Sequence, residues 1–464
     1  MDEIDLSIAL GLTPRPQQRS GVALMNVSLL GITFFFIYTC YGTSMFIEEL
    51  AVNSVNNEFA DKWNGKQWNA HELLGVNYAI FGLFCCLSPS LIDMMGPKVA
   101  MIVHGLILSS ASLSFIFPTP DGLVFSAIGL GVGQAVLWTA QGNLLTINSK
   151  DETIMRNSGI FWALYQTSLL VGNSIVYNRF EDHRTIDRPT RNITFTGLTI
   201  CSLLGVLALF ALREPTDAPR KKVGAWKSLS NTLTLIKSQK MILLLLVFVY
   251  TGLEGCFFSG VYNASVAFSR RRPNFTHKRF SGVSGVLTGF GEIAGGFLAI
   301  LIGSVKKRKQ SNFVIFLGYC IHIITFAVMY FNLQFHVSLN GSDEPAVVHA
   351  SLILALICCF LIGFGDACFQ NQINAFLGSV YHEDSAPPFA IFNCFQYLTS
   401  AIAFYYSNYI PLDTHIYILT IVATIGALAF FAADHLHKVE KRVTQYRKKV
   451  IRVIPTSDRP TGNN

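Results

Sequence analysis

Three acids, Glu254, Glu292 and Asp366, stand inside long apolar stretches of this 464-residue chain. A carboxylate in hydrocarbon is costly, so it faces a cavity, finds a partner or carries a proton. No Lys or Arg lies deep in those stretches to pair with them. The partners left are protons, metal cations, a cationic solute or polar neighbours. Proton relay is the chemistry that this set could perform. A protonated acid bonded between two helices is the plainer reading, and it stays open for each acid taken alone. Glu254 is the most persuasive of the three, because its surroundings are otherwise apolar or small.

Amides form a second set, with Gln134, Gln141 and Asn143 in one stretch and Gln166 and Asn173 in the next. Gln370, Asn371, Gln372 and Asn374 share a later stretch, followed by Gln396. Amides at such depth line a polar cavity or bond helix to helix, at about 0.6–2 kcal/mol per bond. Trp138, Trp162, Tyr165 and Phe395 lie among them and could stack on a solute, although most aromatics in helical bundles are packing. Candidate cavity-lining residues are therefore Gln134, Trp138, Gln141, Trp162, Tyr165, Gln166, Gln370, Gln372, Asn374 and Gln396. His104 and His322 read as satisfied core groups rather than sites. The glycines from Gly282 to Gly296 include two G-x-x-x-G spacings, which let helices approach closely. The chain has no P-loop, no G-x-S-x-G and no H-E-x-x-H, so no enzyme activity, cofactor or metal is expected.

The elements that must hold these residues are twelve stretches, at 22–46, 73–92, 98–117, 123–147, 158–178, 194–212, 241–268, 281–303, 312–333, 350–378, 388–409 and 411–433. Crossing a hydrocarbon core takes about twenty apolar residues as a helix. Apolar residues make up 51% of the chain and charged residues 14%, well below the charge of a soluble domain. The fold class is thus an all-α polytopic membrane protein of twelve transmembrane helices. The net charge of +7 belongs to loops and tail, and no basic groove with interleaved aromatics suggests nucleic acid. All ten cysteines fall within the stretches, so no disulfide is expected. No cleavable signal peptide is apparent, and the first stretch reads as an uncleaved anchor.

With the amino terminus cytosolic and the spans alternating, most of the 35 Lys and Arg fall on the inner side. Both termini are then cytosolic. The N-x-[ST] sequons at Asn192, Asn274 and Asn340 fall in loops on the outer side, as N-glycosylation would require. The chain divides into a cytosolic amino terminus (1–21), a six-helix half (22–212), a linker (213–240), a second six-helix half (241–433) and a basic tail (434–464). The halves repeat each other. Gly131-Val132-Gly133-Gln134-Ala135 mirrors Gly363-Phe364-Gly365-Asp366-Ala367, and Trp162, Tyr165 and Gln166 mirror Phe392, Phe395 and Gln396. Two such halves form the pseudo-symmetric major facilitator arrangement, which places substrate at the midplane between them. In the linker, Trp226, Leu229, Leu233 and Ile236 recur at helical spacing, and Val439, Val443 and Tyr446 do so in the tail. Both segments read as amphipathic helices at the inner membrane surface.

Asp93, Gly96 and Lys98, in the turn Pro89–Lys98, resemble the loop signature of the major facilitator superfamily. Pro89 stands for its leading Gly, and Met94 for its Arg. The resemblance implies a gate on the cytosolic side, with Asp93 capping the next helix or pairing with a cation. Three longer strings are more specific: GVGQAVLWTAQGNLLT (131–146), RNSGIFWAL (156–164) and YTGLEGCFFSG (250–260). Together they resemble the UNC-ninety-three-like family, also called the ion-channel regulatory protein family, over all twelve spans. The chain is similar to animal members with a major facilitator domain. Two functions follow as expectations. One is a transporter of an unassigned small solute, coupled to protons through Glu254, Glu292 or Asp366. The other is a non-transporting accessory subunit of an ion channel, or a trafficking chaperone for a membrane receptor. Expected partners are the lipid bilayer, a small molecule or ion as substrate, and a channel or receptor. The expected location is the plasma or endolysosomal membrane.

Overall fold

The computed structural model describes residues 20–59, 67–180, 186–213, 224–262, 277–305, 311–332, 351–407 and 409–453. Each of the twelve stretches is built as helix. In order, the spans are Ser20–Phe59, Ala70–Cys85 with Ser88–Met95, Pro97–Ala111, Pro120–Ile147, Ile154–Phe180, Arg188–Phe210, Gln239–Cys256, His277–Ser304, Ser311–Asn332, Leu352–Val380, Ala386–Tyr406 and Leu412–Val453. Helices satisfy their own backbone groups, which lipid cannot do, and this is why apolar runs in a membrane become helices.

Among the described residues, nine helices are long and apolar enough to cross a bilayer, or ten if the second span counts as one despite its 62° bend. That bend falls just before Pro89, which has no N–H to carry the ladder across it. Spans five and eleven make up the twelve. They have the length to cross, but amides such as Gln166, Asn173, Asn393 and Gln396 interrupt their apolar residues. Those amides have work inside the bundle.

Several helices outrun their apolar stretches. Span one runs on to Phe59, and span twelve continues without a break into the tail as far as Val453. Span six begins at Arg188. Asn192 therefore lies in a helix, half-buried with an unpartnered amide oxygen, and not in the loop expected of it. Asn274, Asn340 and the Lys306–Lys309 cluster lie outside the described residues.

Each half has a main core, and that of the first also takes in Ala367, Ala375 and Ala386 of the second. Phe34, Leu137 and Phe161 centre one, and Phe248, Phe257 and Phe326 centre the other. Lipid is as apolar as these side chains, so close packing holds the helices together more than exclusion from water does. Span eight shows how close. A Cβ on Gly285 would come within 2.3 Å of Asn173 on span five, and one on Gly291 within 2.0 Å of the Phe360 carbonyl on span ten. Small residues on two faces thus seat span eight against both halves.

The linker helix Ala225–Ile236 lies across the bundle end, with Ser228 and Thr232 turned inward and Trp226 and Leu233 outward. Asp93 holds its start, since Asp93 Oδ2 accepts from Gly224 N at 2.9 Å and Ser90 Oγ donates to the Ala225 carbonyl at 2.8 Å. Asp93 does not cap the helix that follows it, because Gly96 occupies that cap with φ +86°, a conformation suited to glycine. Lys98 Nζ donates to the Phe210 and Leu212 carbonyls at 3.0 and 2.6 Å, tying off the end of span six. At the other end of the linker, Lys240 pairs with Glu440 of the tail helix at 2.6 Å.

Candidate functional site

A cavity of about 220 Å³ opens between the halves. The first half supplies Trp138 and Gln141 from span four and Trp162, Tyr165 and Gln166 from span five. The second supplies Asp366, Gln370 and Asn374 from span ten and Gln396 from span eleven. Asp366, Gln370 and Asn374 are successive i, i+4 neighbours and so share one helix face. Gln372, two residues and about 200° away from that face, is not in the wall. Gln134 is not in it either, because its amide is committed elsewhere: Nε2 donates to Asn77 Oδ1 at 3.1 Å. The expected lining set is thus corrected at these two positions.

The structure brings the three acids together. Asp366, in the wall, is near enough to Glu254 on span seven and Glu292 on span eight to interact with both electrostatically. Gln370 Nε2 donates to Asp366 Oδ1 at 3.1 Å. Trp162 Nε1 reaches from the first half to donate to Glu292 Oε2 at 2.7 Å. Among the described residues, no set of three His, Cys, Asp or Glu is arranged to hold a metal ion. Just past Glu254 the helix widens into a π-helical stretch, Phe257–Tyr262, a distortion common at functional sites. It follows Gly255 and Cys256, which also line the cavity.

Aromatic rings floor the first-half wall. Trp138 meets Tyr165 edge-on at 5.3 Å and lies 6.3 Å from Trp162. Behind it, Phe34 and Tyr38 pack on the same indole at 4.9 and 5.5 Å. Toward the linker side, bonds between the halves close the bundle. Asn143 Nδ2 donates to Ser385 Oγ at 3.0 Å, and Ser158 Oγ to Asn371 Oδ1 at 2.8 Å. Spans two and eleven also meet across the seam, where Phe81 stacks on Tyr397 at 3.7 Å and the Cys86 and Cys394 sulfurs are 3.9 Å apart.

Both lone histidines are buried and bonded. His104 Nδ1 bonds its own helix at the Ala100 carbonyl. His322 bridges three helices: Nε2 donates to the Ile362 carbonyl at 2.9 Å, which leaves Nδ1 to accept from the Tyr250 hydroxyl at 2.5 Å. Sequence reasoning missed a further polar centre. Arg191, fully buried at the start of span six, donates to Glu58 Oε2 at 2.6 Å, Ser54 Oγ at 2.8 Å and the Phe115 carbonyl at 2.9 Å. Its signal was the charge just beyond two apolar stretches, Glu58 after the first and Arg191 before the sixth. Also missed were the wall residues Tyr78, Asn393 and Tyr397.

Solved major facilitator structures share this architecture. The transporter FucP in its outward conformation superposes with a TM-score of 0.65 at 12% identity, covering 89% of this chain and 99% of its own. The human organic anion transporter MFSD10 gives 0.62 at 10%, covering 90% and 100%. Among sequences, UNC93-like protein MFSD11 of Xenopus laevis is 34% identical over 434 residues, 89% of this chain and 96% of its own. Protein unc-93 homolog A of Homo sapiens is 23% identical over 454 residues, 88% and 92% respectively. The family model described as ion channel regulatory protein UNC-93 matches residues 71–431. With that match laid over a two-half bundle of major facilitator fold, this multi-pass membrane protein belongs to the UNC-93 family.

Proposed function

We propose that this protein carries a small solute across its membrane by exposing the central cavity alternately to either side. Protons bound at Glu254, Glu292 and Asp366 drive the cycle. The observation that carries the reading is the bond from Trp162 to Glu292. It joins the aromatic wall of one half to the proton-holding cluster of the other, so filling the cavity and loading the acids act on one contact. In this scheme residues 22–212 and 241–433 rock about the cavity, and the linker 213–240 and the basic tail stay on the cytosolic side with both termini. The turn carrying Asp93, Gly96 and Lys98 anchors the linker during that motion and so gates the cytosolic side. The plasma membrane or an endolysosomal membrane is the proposed location, with glycans at Asn274 and Asn340 on the outer face.

Uptake into proteoliposomes under an imposed pH gradient tests the scheme. Glu292→Gln keeps an oxygen for Trp162 but cannot ionise. Gradient-driven uptake should fall about tenfold, equivalent to about 1.4 kcal/mol in the transition state, while exchange without a gradient persists. Proton coupling fails as an idea if Glu254→Gln, Glu292→Gln and Asp366→Asn all leave the gradient response intact.

The family description supports a second reading, an accessory subunit of an ion channel or an escort of a membrane receptor. Span twelve offers a surface for it, since its helix runs on to Val453 with Val439, Val443 and Tyr446 exposed. Cross-linking in intact membranes should then recover one stoichiometric membrane-protein partner, lost on truncation after residue 437.

A further inference from the structure

We infer that the central cavity selects a neutral solute about the size of a hexose, one that both accepts and donates hydrogen bonds and offers an apolar face for stacking. This deepens the transport reading above and rests on it. The cavity of about 220 Å³ has room for about seven waters at their liquid volume of roughly 30 Å³ each. That suits a solute of on the order of a dozen non-hydrogen atoms.

Charge narrows the class. Among the described residues, the cavity wall contains one carboxyl, Asp366, and no Lys, Arg or His. An anion would meet like charge and no counter-charge. Asp366 is not a bare counter-ion for a cation either, because Gln370 Nε2 already donates to it.

The unpaired groups narrow the class further. Trp138 Nε1, Gln141 Nε2 and Gln166 Oε1 are buried in the wall with no hydrogen-bond partner. Gln141 and Gln166 are only 2% and 5% exposed. An indole N–H is a donor in every state; the Tyr38 hydroxyl beside it can accept from it, and an acceptor on the solute can take that place. An ammonium group has none to give. The two amides ask for a donor and an acceptor between them, and turning both over preserves that demand, whereas turning one over asks for two of a kind. A solute entering the cavity displaces water and must replace its bonds, which hydroxyl and carbonyl groups do. Trp138 and Trp162, with ring centres 6.3 Å apart and tilted by 46°, offer faces against which the apolar side of such a solute can lie.

Equilibrium binding to the purified full-length protein tests this with tritiated D-glucose, myo-inositol and uridine, set against tetraethylammonium and lactate. Saturable binding of at least one neutral probe is expected, weakened about tenfold by Trp138→Phe, which keeps the ring but removes the donor. Trp226→Phe, on the outer face of the linker helix, should leave it unchanged. Should Trp138→Phe fail to fold, Gln141→Met and Gln166→Met test the same demand and should each weaken binding. Binding confined to tetraethylammonium or lactate overturns the inference, as does no binding of any neutral probe or neutral binding indifferent to these substitutions. Neutral binding without uptake in proteoliposomes supports the recognition and overturns transport. Proton-driven uptake of a charged probe alone does the reverse.

Discussion

The two halves answer the same architectural problem with opposite chemistry. In the first half, spans one, two and four meet through a neutral chain, in which Gln134 donates to Asn77 and Asn77 Nδ2 to the Tyr41 hydroxyl at 3.0 Å. In the second half the corresponding spans seven, eight and ten meet through Glu254, Glu292 and Asp366. Gln134 and Asp366 occupy matching places in the repeat. A neutral chain is satisfied in one way and stays so. A carboxyl cluster can change its charge, so in the proposed scheme it is the second half that responds to pH at the cavity.

Away from the cavity the assignment reverses. The first half is stapled by a charged pair, Arg191 with Glu58, with Arg188 adding a second contact to Glu58 at 3.2 Å. The second half is braced by the neutral bracket of Tyr250, His322 and the Ile362 carbonyl.

Four substitutions break or sharpen this contrast. The largest effect is expected from Arg191→Ala. It removes the cation, leaves Glu58 without its buried partner and strips bonds from Ser54 and Phe115. A loss of about 3 kcal/mol or more is expected, seen as a large fall in the unfolding temperature in detergent. A drop no bigger than that of an ordinary surface substitution would mean that the staple is ornamental. Tyr250→Phe should cost about 1–2 kcal/mol, because it leaves His322 Nδ1 buried without a donor. His322→Phe in the same background should restore part of that loss by removing the orphaned nitrogen, and a further loss in the double variant would refute the bracket. The smallest effect lies on the seam. Ser385→Ala removes the acceptor of Asn143 and should cost about 1 kcal/mol. In the proposed cycle that bond breaks when the linker side opens, so a cysteine at residue 141 should become more reactive from that side, and unchanged reactivity would separate the bond from any gating role.

Much of this was open to reading along the chain. Every span, the repeat, the family and eight of the wall residues, from Trp138 to Gln396, could be read from apolar runs, matched strings and amides in paired spans. Bilayer physics makes such reading possible, because a polar residue in an apolar helix is conspicuous. What failed, failed for lack of rotation and reach. Gln372 looked equivalent to its neighbours, but helical phase turns it from the cavity. Gln134 lies on the face of its helix that also carries Trp138 and Gln141, yet Asn77 claims it first. Arg191 looked like a loop charge because apolar runs end before helices do. Asp93 looked like the cap of the helix beside it, when its partner Gly224 lies 131 residues further on.

The sequence alone determined which stretches become apolar helices and which polar residues travel with them, because lipid forces each backbone segment to satisfy itself locally as helix. Tertiary structure alone decided the meetings. Trp162 and Glu292 are 130 residues apart and on different halves, and Glu254 and Asp366 stand on separate helices, spans seven and ten. Such contacts depend on helix rotation and on approach to within a few tenths of an ångström, which composition and spacing do not encode one segment at a time.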